Sequence, residues 1–440
     1  MDSYIHVQGV VGILVHNNWR RLLVLTLIFM AALAAGLTPP AEAQEVGRQI
    51  PVLVDTLPVT FDVQPLIQEG RTLVPFRAIA EALNVQVDWD GNTRTVKAAD
   101  GKNSLRLQVG SRTAYRNNAP LQLDMVLQLI NGRTLIPLRV FSEAFGCQVD
   151  WDAAMGGVRI TSPPGEMNVI GFYALGDSQT SSWIDLFGKP YPATAAGNTD
   201  LVRELALGWY SVDKEGNLLT RSTTGWQMPE GWQDVLAAAR NYKLPTAMVV
   251  HATDGDGALS SLLANEAAMA MAAGAITKEA RARGYNGVNL DFEGLGFRDS
   301  GAQLQLVQGR FTRFAELLSR ELRAAGLRLT LTLHPSNSAY RGYDYQALGA
   351  VADRIIIMAY DYGIIPEPVS LVEEAVTMAR AVVPPAKLLL GISAPTETAA
   401  SVAGKVGIAK RYNLGGIALW RLGLVSDAMW EALRTTIATR

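Results

Sequence analysis

From residue 168 onward, short apolar runs alternate with longer stretches in which apolar residues recur every three or four positions. The runs are "NVIGFYA" (168–174), "LALGWYSV" (205–212), "TAMVVHA" (246–252) and "GVNLDFE" (287–293), followed by "LRLTLTLH" (327–334), "RIIIMAY" (354–360), "KLLLGIS" (387–393) and "GGIALW" (415–420). Continuous short runs suit strands buried on both faces, and the period near 3.6 suits amphipathic helices. In 304–326, for example, Val307, Phe311, Phe314, Leu318 and Leu322 share one helical face, and Gly326 closes the segment. The stretch 259–284 is likewise helix-rich and ends at Gly284. Strands alternating with helices over residues 166–440 predict an α/β fold, a (β/α)8 TIM barrel. A doubly wound open sheet is the alternative, but no Gly-rich phosphate turn follows the first run.

Residues 50–162 follow a different rhythm. "EGRTLVPFRAIAEALNVQVDWDGNTRTVKA" (69–98) aligns with "NGRTLIPLRVFSEAFGCQVDWDAAMGGVRIT" (131–161), so that Arg71 matches Arg133, Pro75 Pro137, Arg77 Arg139, Glu81 Glu143 and Trp89 Trp151, always 62 positions apart. Each unit predicts a short strand, a helix over "FRAIAEAL" or "LRVFSEAF", and a strand pair turning at Gly91 or at Gly156-Gly157. This smaller α+β repeat domain reads as a spacer or wall-proximal module whose arginines and tryptophans brace helix to strand. "SPPG" (162–165) is the linker to the barrel.

The N-terminus predicts an export signal over residues 1–43. Arg20 and Arg21 precede the apolar run 22–37, and "AEAQ" places Ala41 and Ala43 at A-x-A positions, so cleavage is expected after Ala43. An uncleaved anchor is the competing reading, and the membrane is a partner only in that case. A net charge of −2 gives no basic field for nucleic acid. The single cysteine, Cys147, excludes an intramolecular disulfide framework, and four histidines make a multi-histidine metal site unexpected. No metal and no cofactor are expected.

The fourth run carries the chemistry. Residues i, i+2 and i+4 of a strand share a face, so Asn289, Asp291 and Glu293 should point together toward the barrel axis while Val288, Leu290 and Phe292 meet the helices. Glu293 falls at the carboxyl end of the strand, where barrel enzymes place reacting groups. Two acids this close should repel, and Asp291 is expected to raise the pKa of Glu293 and keep it protonated near neutral pH, as a general acid requires. A buried ion pair with lysine or arginine would be the structural alternative.

On these residues two family resemblances become visible. Residues 50–162, through their "RTLVPxR…VxWD" pattern, resemble the copper amine oxidase-like N-terminal domain; the segment contains no histidine, so the name implies no copper here. "NGVNLDFE" resembles the D-G-x-D-x-D-x-E signature of family 18 glycoside hydrolases, the chitinase-like barrels. "MAYDY" (358–362), "KLLLGIS" and "GGIALWRLG" resemble the motifs of the sixth, seventh and eighth strands, and the whole pattern most resembles the spore-cortex-lytic, wall-hydrolysing branch.

The resemblance implies that Glu293 protonates the glycosidic oxygen, that Asp291 orients the substrate's 2-acetamido group, and that Tyr360 hydrogen-bonds its carbonyl. Asp361 would contact the same sugar, Asn289 would stand in the site where a further acid is usual, and Trp420 would form its hydrophobic floor; Tyr173 is a further possible wall. His251 and His334 end their runs and could line the cleft or serve the structure alone. The first two signature acids are Asn286 and Asn289, "HATDGDG" departs from the usual third-strand motif, and the short segment 394–414 implies a shallower groove than that of chitinases. The expected function is an exported glycoside hydrolase cleaving N-acetylglucosamine-containing cell-wall glycan (peptidoglycan or spore cortex, with chitin possible) by substrate-assisted retaining catalysis. A catalytically silent carbohydrate- or wall-binding protein on the same barrel is the alternative.

Overall fold

The computed structural model describes residues 49–174, 181–221 and 227–440; the expected export signal lies outside them. Among the described residues no helix is long and apolar enough to cross a membrane.

In the repeat domain each helix, Phe76–Ala82 or Leu138–Ala144, starts directly after a proline, whose fixed φ and missing N–H suit a helix start. Antiparallel pairs follow, Gln86–Asp90 with Thr95–Ala99 and Gln148–Asp152 with Gly157–Thr161. The two repeats join through Arg71–Pro75 and Arg133–Pro137, which pair antiparallel with Leu135 opposite Pro75. Both helices drop Ile79 and Phe141 into one shared core. An additional strand, Val52–Val54, lies parallel to Gly157–Thr161 and completes the second repeat's sheet from the far end of the domain. It carries no repeat signature, which is why the pattern did not reveal it.

The barrel strands are β1 (Asn168–Tyr173), β2 (Glu204–Val212), β3 (Thr246–Thr253), β4 (Gly287–Glu293), β5 (Arg328–Leu333), β6 (Arg354–Ile357), β7 (Leu388–Ser393) and β8 (Gly416–Trp420). All pair in parallel with their neighbours, and β1 pairs with both β2 and β8, so the ring closes. The (β/α)8 expectation holds. Outward residues Val288, Leu290 and Phe292 join the helical layer, where Phe292 stacks on Phe314 with centroids 5.5 Å apart. Inward residues form layers along the axis. At the amino ends, Glu204 accepts from Arg354 at 2.5 Å and from Arg328 at 3.2 Å. Above lies an apolar layer including Ile170, Val249, Ile356 and Leu389.

The repeat domain seats on the helix Ala399–Arg411, between β7 and β8. Leu57 is fully buried within the barrel's outer core. Arg411 donates to the backbone oxygens of Leu57 (3.1 Å) and Pro58 (3.0 Å), and Lys410 lies 3.4 Å from Asp55. Gly407 permits this approach, since a Cβ there would stand 2.7 Å from the Asp55 carbonyl oxygen. Gly407→Leu would force the surfaces apart, and Leu57→Asp would bury an unpaired carboxylate. Either variant should resolve one calorimetric unfolding transition into two and expose the linker 162–165 to protease; an unchanged single transition would show that this contact does not couple the domains.

Candidate active site

The site is built outward from β4, where parity and register place Asn289, Asp291 and Glu293 on the barrel axis. Asn289 lies opposite Thr330 and Val249, and Asp291 opposite Thr332 and His251. Deepest, the Asn289 Oδ1 accepts a 2.8 Å hydrogen bond from Thr332 Oγ1. Asp291 is only 2% exposed, and its Oδ1, like Asn289 Nδ2, has no hydrogen-bond partner among the described residues. Glu293, at the rim, keeps 30% of its side chain exposed and faces two imidazoles, with His251 Nε2 at 3.5 Å and His334 Nε2 at 3.8 Å. His334 follows the last residue of β5; it stacks on Tyr340 with centroids 4.2 Å apart, and its backbone oxygen accepts from Tyr345. Both histidines thus face the acid, a role that strand-end position alone could not separate from a structural one.

These neighbours reverse the expected division of charge. Burial raises the Asp291 carboxyl, and the negative charge of Glu293 raises it further, to about 8, against a smaller opposing pull from His251. Burial pushes Glu293 up as well, but the hydrogen bond from His251 and the charges of His251 and His334 outweigh it and bring the carboxyl below its ordinary value. The shifts run opposite to the expectation that Asp291 would raise Glu293: within the coupled pair Glu293 is lowered and Asp291 is raised. His251 is lowered by burial, but its hydrogen bond to Glu293 and the two acidic charges carry its pKa above the usual histidine value. Burial lowers His334, against a weaker pull from Glu293.

Tyr360 lies just beyond β6. Its ring runs close over Gly391, where a Cβ would lie 3.0 Å from Tyr360 Cε1. Burial and the charges of Asp291, Glu293 and Asp361 raise the phenol well above its normal value, so it stays a hydrogen-bond donor. Asp361 adopts φ +66. Its N–H and that of Tyr362 donate to the buried Glu367 carboxylate at 2.9 and 3.1 Å. Lys405 anchors that turn by donating to the Glu367 backbone oxygen at 2.7 Å while pairing with Glu397. The Asp361 carboxyl is exposed at the rim, raised by partial burial and by Glu367 and Glu293. Trp420 ends β8 on the inward face, half-buried and edge-on to Phe172 at 5.1 Å.

Tyr173 does not belong here. It is fully buried in the outer core beside Trp183, because the parity of β1 turns Phe172 inward and Tyr173 toward the helices. Asn286 also has a local task, accepting from the Thr246 N–H at 2.9 Å and so tying β4 to β3. Between β7 and β8 the chain forms a 3-10 turn, Ala394–Thr396, and the helix Ala399–Arg411, with no further subdomain. One ligand atom each from His251, Asp291 and Glu293 lies within 4.8 Å of the other two, so a divalent ion could bridge them. Its charge would displace the proton that Asp291 holds.

Comparison with known proteins places these elements. Residues 53–160 match the copper amine oxidase N-terminal domain, and residues 199–396 match glycosyl hydrolases family 18. The chain is 35% identical over 120 residues (25% of this chain, 27% of the other) to YdhD of Bacillus subtilis (strain 168), provisionally named a sporulation-specific glycosylase. It is 25% identical over 164 residues (32% and 36% of the two chains) to the cortical fragment-lytic enzyme of Bacillus anthracis. The matched stretches thus span about a third or less of these relatives' length. The fold is shared with a chitinase from Chromobacterium violaceum ATCC 12472 (TM-score 0.51, 23% identity, 61% of this chain and 98% of that one). It is also shared with the Bacillus cereus spore cortex-lytic enzyme SleL (TM-score 0.50, 16% identity, 63% and 76%). The chain therefore carries a family 18 glycosyl hydrolase domain on its barrel, preceded by a copper amine oxidase N-terminal domain.

Proposed function

We propose that this chain hydrolyses an N-acetylglucosamine-containing glycan of the cell wall, peptidoglycan or spore cortex, outside the cytoplasm. The carrying observation is a buried Asp291 on the same strand face as a histidine-flanked, partly exposed Glu293 at the carboxyl end of the barrel. A sugar over Trp420 sets its C–H face on the indole and its 2-acetamido group toward Asp291 and Tyr360. The acetamido N–H donates to Asp291, whose orphaned oxygen faces inward; this favours the carboxylate and sends its proton to Glu293. Substrate covering Glu293 excludes water and favours the same transfer.

Glu293 then protonates the leaving glycosidic oxygen while the acetamido oxygen attacks C1. The C1–O bond breaks, an oxazolinium forms, and ionised Asp291 balances its charge through the ring N–H. Tyr360 donates to the acetamido oxygen and holds it in line. Water, deprotonated by Glu293, opens the ring from the face that the leaving group vacated, with net retention.

Glu293→Gln should lower kcat on purified peptidoglycan, cortex fragments or chitin by about 10²-fold or more, since a positioned general acid contributes that much. Undiminished release of reducing ends by this variant would remove Glu293 from its role. Retention on the polymer without release by the wild type would favour the silent binding protein.

The one-proton form persists between the lowered Glu293 pKa and an Asp291 pKa of about 8, so kcat/KM should fall on the alkaline side around that value. His251 lowers both carboxyls. His251→Gln should consequently move both limbs of the kcat/KM profile to higher pH. A profile that keeps its limbs, or moves them down, would contradict the histidine clamp.

A further inference from the structure

The repeat domain presents two equivalent grooves. One, of about 720 Å³, sets Trp89 and Arg77 of the first repeat against Leu129 and Arg133 of the second. The other, of about 620 Å³, sets Trp151 and Arg139 of the second against Ile67 and Arg71 of the first. Every one of these residues corresponds to its counterpart at the 62-residue offset, so the grooves are copies related by the domain's internal symmetry. They exist because the repeats pair through Arg71–Pro75 and Arg133–Pro137, which hands each groove one wall from either repeat.

The side chains are not packed as braces. Trp89 is 36% and Trp151 50% exposed, and the facing Ile67 and Leu129 are 53% and 58% exposed. Folding gains little from leaving indole and aliphatic faces in water, and such patches rimmed by polar groups mark binding surfaces. Beside each indole an ion pair crosses between repeats, Arg133 with Asp62 and Arg71 with Asp124, both at 2.6 Å and about half-exposed. An exposed pair of this kind adds little to stability. It does present planar donors and acceptors side by side, the array that meets vicinal hydroxyls. Guanidinium and carboxylate groups are equal in number in each groove, two of each, which matches a neutral ligand rather than a polyanion.

We infer that the two grooves are paired carbohydrate sites, each stacking one sugar ring of an uncharged N-acetylhexosamine glycan on Trp89 or Trp151. Two such sites on one domain bind a polymer with avidity that neither reaches alone. They hold insoluble substrate near the barrel without touching the bond that is cut. The choice of an N-acetylhexosamine rests on the substrate proposed for the barrel, but binding here does not depend on turnover, so the two are tested separately.

The test uses the full chain carrying Glu293→Gln and measures co-sedimentation with insoluble chitin, an uncharged N-acetylhexosamine polymer, and with intact peptidoglycan. Trp89→Ala and Trp151→Ala should each weaken retention several-fold. The double variant should weaken it by at least tenfold, with an unchanged melting temperature, and Arg77→Ala with Arg139→Ala should act in the same direction. In the chain that retains Glu293, the double tryptophan variant should leave kcat/KM on a short soluble oligosaccharide unchanged. Undiminished retention in the double variant would overturn the inference. So would retention on peptidoglycan with none on chitin, or a dimer of the chain that the tryptophan substitutions dissolve.

Discussion

A carboxyl group sealed on the axis of a parallel barrel must either find a cation or resist ionisation, and burial beside Glu293 raises the Asp291 pKa to about 8. That constraint organises the carboxyl end of the barrel. The neighbouring Glu293 is two residues further along the same strand and close enough to be felt as a charge, so the two acids cannot ionise independently. The imidazoles of His251 and His334 decide which of them carries the charge. Glu293 is lowered and partly exposed, while Asp291 is raised and buried.

Two strand arginines lie at the opposite end of the barrel. Arg328 and Arg354 are the first residues of β5 and β6, where they close on Glu204, the first residue of β2. An apolar layer separates that ion cluster from the acids above. Charge at the amino end is thereby compensated within the fold, whereas at the carboxyl end it is left adjustable. The Glu367 carboxylate and Lys405 serve this division by fixing the turn after β6, so that Tyr360 and Asp361 stand at the rim in a set conformation.

The repeat domain obeys a different logic. Its core is small and shared between two units, and its tryptophans lie outside that core. Leu57 and Gly407 make its seat on the barrel a packed contact rather than a tether, which gives the grooves a defined position next to the catalytic barrel.

Much of this was legible in the residues. Alternating buried runs and amphipathic helices specify the barrel, because burial on both faces and a period of 3.6 are local consequences of where a segment sits. The period of two also specified that Asn289, Asp291 and Glu293 share a face, since pleating alone imposes it. Parity applied to β1 would have removed Tyr173 in the same way, because Ile170 and Phe172 already occupy the inward positions. What lay beyond the sequence was everything set by contact between distant segments. The mutual seating of Trp89 with Arg133 and of Trp151 with Arg71 required the repeats to be paired first. The lowering of Glu293 required knowing that His251, near the end of β3, and His334, just after β5, face it, since a carboxyl's pKa depends on the burial and charge around it rather than on the residues next to it in the chain. The sequence by itself determined which acids meet on the barrel axis; only the tertiary structure decided which of them is raised and which lowered, because burial and the flanking histidines come from contacts between strands.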